Sequence, residues 1–238
     1  MGLNILIIGS TRGIGREVVK QLCSKGHNMF CISRNEDALY HLKTECLGIY
    51  PALPVHTLAY DISTFTSGSF DLSEKIKNTF GRIDVLLYNA GYLIKKDFDR
   101  FNPDEVMEIF KVNFLAAGAI IQHLLSLMGG EKMSHIVTIG SMGGVQGSVK
   151  FPGLSYYSAS KAALATLSEC LAEELSGRNI RVNCLALGSA QTEMFKEAFP
   201  EHRAPLSASE MASFICNFMT EGHKYFNGKI IPVSSSTP

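Results

Sequence analysis

Short apolar runs alternate with amphipathic helical stretches from one end of this chain to the other, and this alternation limits the folds open to it. The apolar runs fall at 3–8, 28–33, 54–59, 83–88, 134–140, 180–186 and 228–233. Several, such as Ile83-Asp84-Val85-Leu86-Leu87 and Ile136-Val137-Thr138-Ile139, lack apolar/polar alternation. Strands of that kind belong to parallel sheets covered by helices on both faces. Helical periodicity predicts helices near 14–25, 36–47, 69–80, 103–128, 155–176 and 207–220. Asn102, Pro103 and Glu105 read as an N-cap, a first helical residue and a capping-box partner. The pattern predicts an α/β fold, with a doubly wound, seven-stranded parallel sheet and helices on both faces.

The chain has 238 residues, enough for a sizeable core in one domain. Lys plus Arg and Asp plus Glu balance at 22 each, which gives no electrostatic case for a nucleic-acid or membrane-surface partner. The N-terminus runs straight into an apolar strand without a basic leader, so no secretory signal is expected. The apolar stretch 112–128 contains Asn113, Gln122, His123 and Ser126, and reads as a buried helix rather than a membrane span. The six cysteines form no C-x-x-C and no zinc spacing, so no metal is expected. Thiols acting as buried hydrophobes suit a reducing, cytoplasmic setting. The last residues, 234–238, read as a frayed terminus.

The first strand ends in Gly9-Ser10-Thr11-Arg12-Gly13-Ile14-Gly15, and a helix follows at once. Glycines let the backbone turn sharply there, and the helix start offers free N–H groups to a pyrophosphate. This context makes the segment a dinucleotide-binding turn of a Rossmann-type domain. The second strand runs into Ser33-Arg34-Asn35, with no carboxylate to hold a ribose 2′-hydroxyl. Arg34 and Arg12 can instead pair with a 2′-phosphate, so NADP(H) is expected over NAD.

Tyr157 and Lys161 open a helix four residues apart, within roughly 40° of one face. An ammonium beside a phenol lowers its pKa and suits it to exchange a proton with a carbonyl or hydroxyl oxygen. Tyr156 lies roughly 140° away around the same helix. Ser141 ends the strand before it, at the carboxyl edge where open α/β sheets bind ligands.

Together these residues resemble the short-chain dehydrogenase/reductase family in its common form, over nearly the whole chain. Gly9, Gly13, Ile14 and Gly15 match the cofactor motif, and Asp61, followed by Ile62, matches the acidic residue that contacts the adenine. Tyr88-Asn89-Ala90-Gly91 resembles the motif after the fourth strand, and Gly188 through Thr192 the segment at the nicotinamide end. Asn113, Ser141, Tyr157 and Lys161 match the catalytic positions. The resemblance implies that Tyr157 is the general acid/base and that Lys161 lowers its pKa and binds the nicotinamide ribose. It implies that Ser141 orients the substrate oxygen and Asn113 supports a proton-relaying water. It also implies one domain over 1–238, with a cofactor half about 1–100 and a catalytic half about 101–238.

Three positions depart from the pattern: Ile8 for a threonine, Tyr88 for an asparagine and Leu187 for a proline. The first two are expected to cost supporting hydrogen bonds, and the third to loosen the backbone near the nicotinamide. The stretches 142–156 and after Thr192 are expected to set substrate choice, with Met194, Phe195 and Phe199 as a small lid or a short packed helix. No basic cluster in the sequence marks an acyl-carrier or coenzyme A partner. The expected function is an NADP(H)-dependent oxidoreductase acting on a small carbonyl compound or secondary alcohol. The alternative is a cofactor-binding regulatory or scaffold protein. Helices 103–128 and 155–176 are apolar on more than one side. Leu164, Leu167, Leu171 and Leu175 form one stripe, with Ala163, Thr166 and Cys170 beside it. With one stripe facing the sheet and the other a partner, a homodimer or homotetramer is expected.

Overall fold

The computed structural model describes residues 2–52, 55–65 and 72–235. The strands are β1 (Asn4–Ile8), β2 (Asn28–Ser33), β3 (Val55–Ala59), β4 (Val85–Tyr88), β5 (Ser134–Ser141), β6 (Ile180–Leu187), β7 (Ala190–Gln191), β8 (Leu206–Ser207) and β9 (Ile230–Val233). Seven of them form one sheet in the order β3-β2-β1-β4-β5-β6-β9, parallel throughout. The short β7 and β8 pair with each other, also in parallel. The helices are α1 (Gly13–Ser24), α2 (Glu36–Ile49), α3 (Leu72–Phe80), α4 (Pro103–Phe110), α5 (Ala116–Leu124), α6 (Ser155–Glu174), α7 (Glu193–Ala198) and α8 (Ala208–Glu221).

The sheet separates two apolar cores, which is why its strands are apolar on both faces. Ile5, Ile7, Leu87 and Val137 point toward a core with Val18 of α1 and Ile215 of α8. Leu6, Ile8, Leu86 and Ile136 point the other way, to Ile76 of α3, Ile120 of α5 and Leu164 of α6. Alternate side chains thus leave opposite faces, and both faces are sealed.

All seven expected strands are present, with shifted ends. The start expected at 54 and the helix start expected at 69–71 lie outside the described residues, as does 236–238 of the terminus. β4 begins at Val85 rather than 83 because Asp84 is spent on its own contacts. Its carboxylate accepts the Asn4 N–H at 2.8 Å and pairs with Arg82 at 2.9 Å.

The helix expected over 103–128 is interrupted. The predicted capping box is formed, with Asn102 accepting from the Glu105 N–H at 2.9 Å and Glu105 accepting from the Asn102 N–H at 3.0 Å. A π-turn then spans Lys111–Leu115 before α5, and a 3-10 turn follows at Leu125–Leu127. Pro103–Leu127 is long and apolar enough, by length and composition, to cross a membrane. Here Ile109, Ala117, Ile120 and Leu124 of that stretch are buried, the last three against the sheet. Five of the six cysteines are buried, and burial pushes the Cys46 and Cys216 thiols up to about 12.

Candidate active site

The parallel strands bring their carboxyl ends to one edge, and the strand order reverses between β1 and β4. Open α/β sheets bind ligands in the crevice at such a point. Asn89, just after β4, spans it, with its side chain donating to the Gly9 carbonyl at 2.6 Å. Gly9 has φ +86°, and a Cβ there would stand 2.6 Å from the Ala90 nitrogen. A Cβ on Gly15 would meet the Gly9 carbonyl oxygen at 2.0 Å. Neither position has room for a side chain, so the turn and the start of α1 pack backbone to backbone.

Arg12 occupies the cap position of α1 without a side-chain cap, and the first turn holds no acidic residue. The free N–H groups of this helix start form an anion site. A cavity of about 370 Å³ lies in front of it. Thr11, Arg12, Ser33, Arg34 and Asn35 line one side of the cavity; Asp61, Ile62, Asn89, Ala90 and Gly91 line the other. Arg34 is exposed and has no ion-pair partner among the described residues. Arg12 stands 3.9 Å from Glu197, both side chains well exposed, so that pair is weak. Asp61 and Asn35 also have local roles, accepting the Ser63 and Ala38 N–H groups at 3.0 and 2.8 Å.

These residues fit a dinucleotide. The cradle excludes side chains, the helix start is uncapped, and two arginines face a cavity whose β2 end bears no carboxylate. Ser10 and Gly15 do not line the cavity. Ser10 is buried behind the turn, where its N–H donates to the Ser33 hydroxyl at 2.9 Å and ties the turn to β2.

A second cavity of about 640 Å³ adjoins the first, and Arg12, Asn89 and Gly91 line both. Ser141, Tyr157, Lys161, Gly188 and Thr192 face it. The Lys161 ammonium lies 5.9 Å from the Tyr157 ring centroid and donates to the Ile139 carbonyl at 2.8 Å. Burial pushes the Tyr157 phenol up to about 12, partly offset by a hydrogen bond from Ser141. Burial also pushes Lys161 down to about 8. Desolvation is the largest influence on the phenol, and Ser141 is the neighbour that pulls it back. Tyr156 points elsewhere, stacked on Phe98 at 5.5 Å and edge-on to Phe101 at 5.0 Å.

Asn113 is buried in the π-turn. Its side chain accepts from the Tyr92 N–H at 2.7 Å and donates to the Tyr92 carbonyl and the Ser160 hydroxyl, both at 2.9 Å. Both amide hydrogens are thus committed to holding the 92 loop against α6.

The three departures have structural explanations. Ile8 and Tyr88 are partners across the β1/β4 ladder and share one apolar cluster. The Tyr88 hydroxyl donates to the Val112 carbonyl in the π-turn at 2.6 Å. The expected loss of supporting hydrogen bonds is corrected at Tyr88, which makes a new one. Leu187 lies within β6, paired with Ser141 on one side and Val233 on the other. The ladder, rather than a proline, fixes the backbone there.

The remaining walls are apolar. Met142, Phe151 and Leu154 come from the stretch before α6, and Met194, Phe195 and Phe199 from α7 and its end. The short helix and the lid are therefore the same element. Two features were not foreseen from the sequence. Met194 reaches both cavities. Lys95, His202 and Arg203, all exposed, line the larger one. The available signal was the Lys95-Lys96 pair close behind the Tyr88–Gly91 motif.

The family model for the short chain dehydrogenases matches residues 3–203. The chain belongs to that family of oxidoreductases. A 3-oxoacyl-[acyl-carrier-protein] reductase of Haemophilus influenzae is 29% identical, over 96% of this chain and 95% of that protein. Carbonyl reductase family member 4 of Xenopus laevis is 34% identical, over 79% of this chain and 75% of its own length. A short chain dehydrogenase structure from Shigella flexneri, complexed with NADP, superposes with a TM-score of 0.88 at 26% identity, covering 97% of this chain and 96% of that one.

Proposed function

We propose that this chain is an NADP(H)-dependent carbonyl reductase that also oxidises secondary alcohols, with Tyr157 as general acid/base. The observation that carries this is the meeting of Ser141, Tyr157 and Lys161 in a cavity that shares lining residues with the one bearing Arg12 and Arg34. The NADP complex of the Shigella relative and the reductase names of the other two support the same cofactor and reaction type.

NADPH, when bound, supplies the hydride. A phenol near 12 is protonated at neutral pH, so Tyr157 is ready to donate to a carbonyl oxygen as the carbon is reduced. The Ser141 hydroxyl holds the same oxygen. Lys161, near 8, is mostly cationic at pH 7 and stabilises the phenolate that forms. One of its three N–H groups is held by Ile139, which leaves two for the ribose and the phenol side. Asn113 positions the 92 loop and α6. The glycine turn and Asn89 to Gly91 hold the pyrophosphate region, Asp61 and Ile62 the adenine, and Gly188 and Thr192 the nicotinamide end. Arg34 and Arg12 take the 2′-phosphate. The two halves of the chain act as one domain, since both cavities draw on residues from each. Met107 of α4 and Leu115 of the π-turn are exposed, which fits a homo-oligomer.

Tyr157→Phe tests the mechanism. NADPH binding by fluorescence titration should persist while turnover falls on the order of 10²–10⁴-fold. An active Tyr157→Phe enzyme would overturn the assignment. A wild-type protein that binds NADPH yet oxidises none across a broad carbonyl panel would favour the regulatory alternative.

A further inference from the structure

The proposed reaction leaves the carbonyl compound unnamed, and the larger cavity narrows it. Lys95, His202 and Arg203 line that cavity and are all exposed, which puts them on its solvent side, and Glu193 is the acidic side chain lining the same cavity. Lys95 sits 4.2 Å from the Phe199 ring centroid and donates to the Ala198 carbonyl at 3.1 Å. An ammonium has three donors, so two remain. Arg203 has no ion-pair partner among the described residues, and its guanidinium carries five donors.

Both cations stand on segments with fixed backbones. Beside Lys95, the Lys96 N–H donates to the Gly153 carbonyl at 3.0 Å. Beside Arg203, the Ala204 N–H donates to the Gln191 side chain at 2.8 Å, and the His202 N–H donates to the Phe199 carbonyl at 3.0 Å. The wall is apolar, with Phe199 packed between Phe151 and Phe195 at 6.3 and 5.4 Å. The cavity therefore combines exposed cationic side chains with an aromatic wall and the phenol of Tyr157.

We propose that the substrate is an amphipathic carbonyl compound with an anionic end. Its carboxylate or phosphate lies at Lys95 and Arg203, its apolar body along Phe199, and its carbonyl at Tyr157. This rests on the oxidoreductase reading. The anionic end is unchanged in the reaction: the carbonyl carbon takes the hydride and the oxygen takes the Tyr157 proton. Charge-assisted hydrogen bonds at the mouth select the anion, and the aromatic wall selects the apolar chain.

The test compares keto carboxylates of increasing chain length, and the matching keto phosphates, with the neutral methyl esters of the acids. Wild type should favour one anionic series over the esters in kcat/KM. In Lys95→Met and in Arg203→Met this preference should fall roughly tenfold. Raising the salt concentration should erode it in the wild type. The arm with the larger preference distinguishes carboxylate from phosphate. An anion-to-ester ratio at or below one, or a ratio that neither variant changes, would overturn the proposal. The second outcome would leave Lys95 as a simple latch on α7. A parallel calorimetric titration with saturated carboxylates and their amides, on the NADP-loaded protein, needs no turnover. Tighter carboxylate binding that is lost in Lys95→Met supports the anion site even if the carbonyl panel fails. Equal binding of acid and amide overturns it even if the panel succeeds.

Discussion

The buried hydroxyl of Tyr88 donates to the Val112 carbonyl at 2.6 Å, linking the central strand β4 to the π-turn that carries Asn113. Tyr88→Phe removes the donor and keeps the ring. It should cost about 1–3 kcal/mol in chemical denaturation, because the acceptor stays buried. kcat should fall while NADPH affinity holds, since Asn113 positions the 92 loop and α6. A variant as stable and active as wild type would show that the bond is incidental.

Arg34 lines the nucleotide cavity and has no ion-pair partner among the described residues. Arg34→Ala should weaken NADPH binding by roughly tenfold and leave NADH binding little changed. Fluorescence titration of both cofactors measures this. Equal losses for the two would assign Arg34 to general binding rather than to the 2′-phosphate.

Gly15→Ala places a methyl group 2.0 Å from the Gly9 carbonyl oxygen and 2.5 Å from the Asn89 amide nitrogen. The turn must shift to accept it. Binding of NADPH should fall more than that of a carboxylate at the cavity mouth, because the mouth residues lie on other segments. Unaltered NADPH affinity would mean that the turn has slack.

Acid sensitivity should arise at the far end of the sheet. His135, near the start of β5, is buried, with its ring nitrogens 3.0 Å from the Met219 carbonyl oxygen and 3.1 Å from the Asn183 amide nitrogen. Burial depresses its pKa to about 4, and His223, 5.6 Å away, is lowered too. A free histidine titrates near 6.5, so the unfolded chain binds more protons between these values. The contribution of His135 is therefore fully present above about pH 6.5 and is lost as pH drops toward 4. That contribution is roughly 2–4 kcal/mol. Denaturation midpoints across this window should decline less in His135→Gln; an identical slope would place the acid sensitivity elsewhere.

Much of this was legible in the sequence because the chemistry repeats at fixed spacing. Continuous apolar strands such as Ile136 to Ile139 announced a sheet covered on both faces. Tyr157 and Lys161 shared a helical face at four-residue spacing, and Tyr156 did not. Burial was less legible. The apolar environment that raises Tyr157 and lowers Lys161 is assembled from several elements, so the direction of the phenol shift could not be read from the pair alone. The π-turn was hidden because Lys111 to Leu115 fits an α-helical pattern equally well. The two-residue strands β7 and β8 are too short to carry any periodicity. Lys95 and Arg203 are far apart in the chain, and only the fold brings them to one cavity.

The pairing of Ala190 with Leu206 joins both ends of the segment that carries α7. The segment is therefore an excursion closed at its base, with Lys95 bonded to the Ala198 carbonyl along its course. Doubling the length of such a loop costs only about 0.6 kcal/mol in closure entropy. The wall that meets the substrate can thus be lengthened, shortened or exchanged as a cassette, while Ser141, Tyr157 and Lys161 stay fixed on β5 and α6. A new specificity on this scaffold could come from residues 192–205 alone, with the proton-transfer machinery left intact.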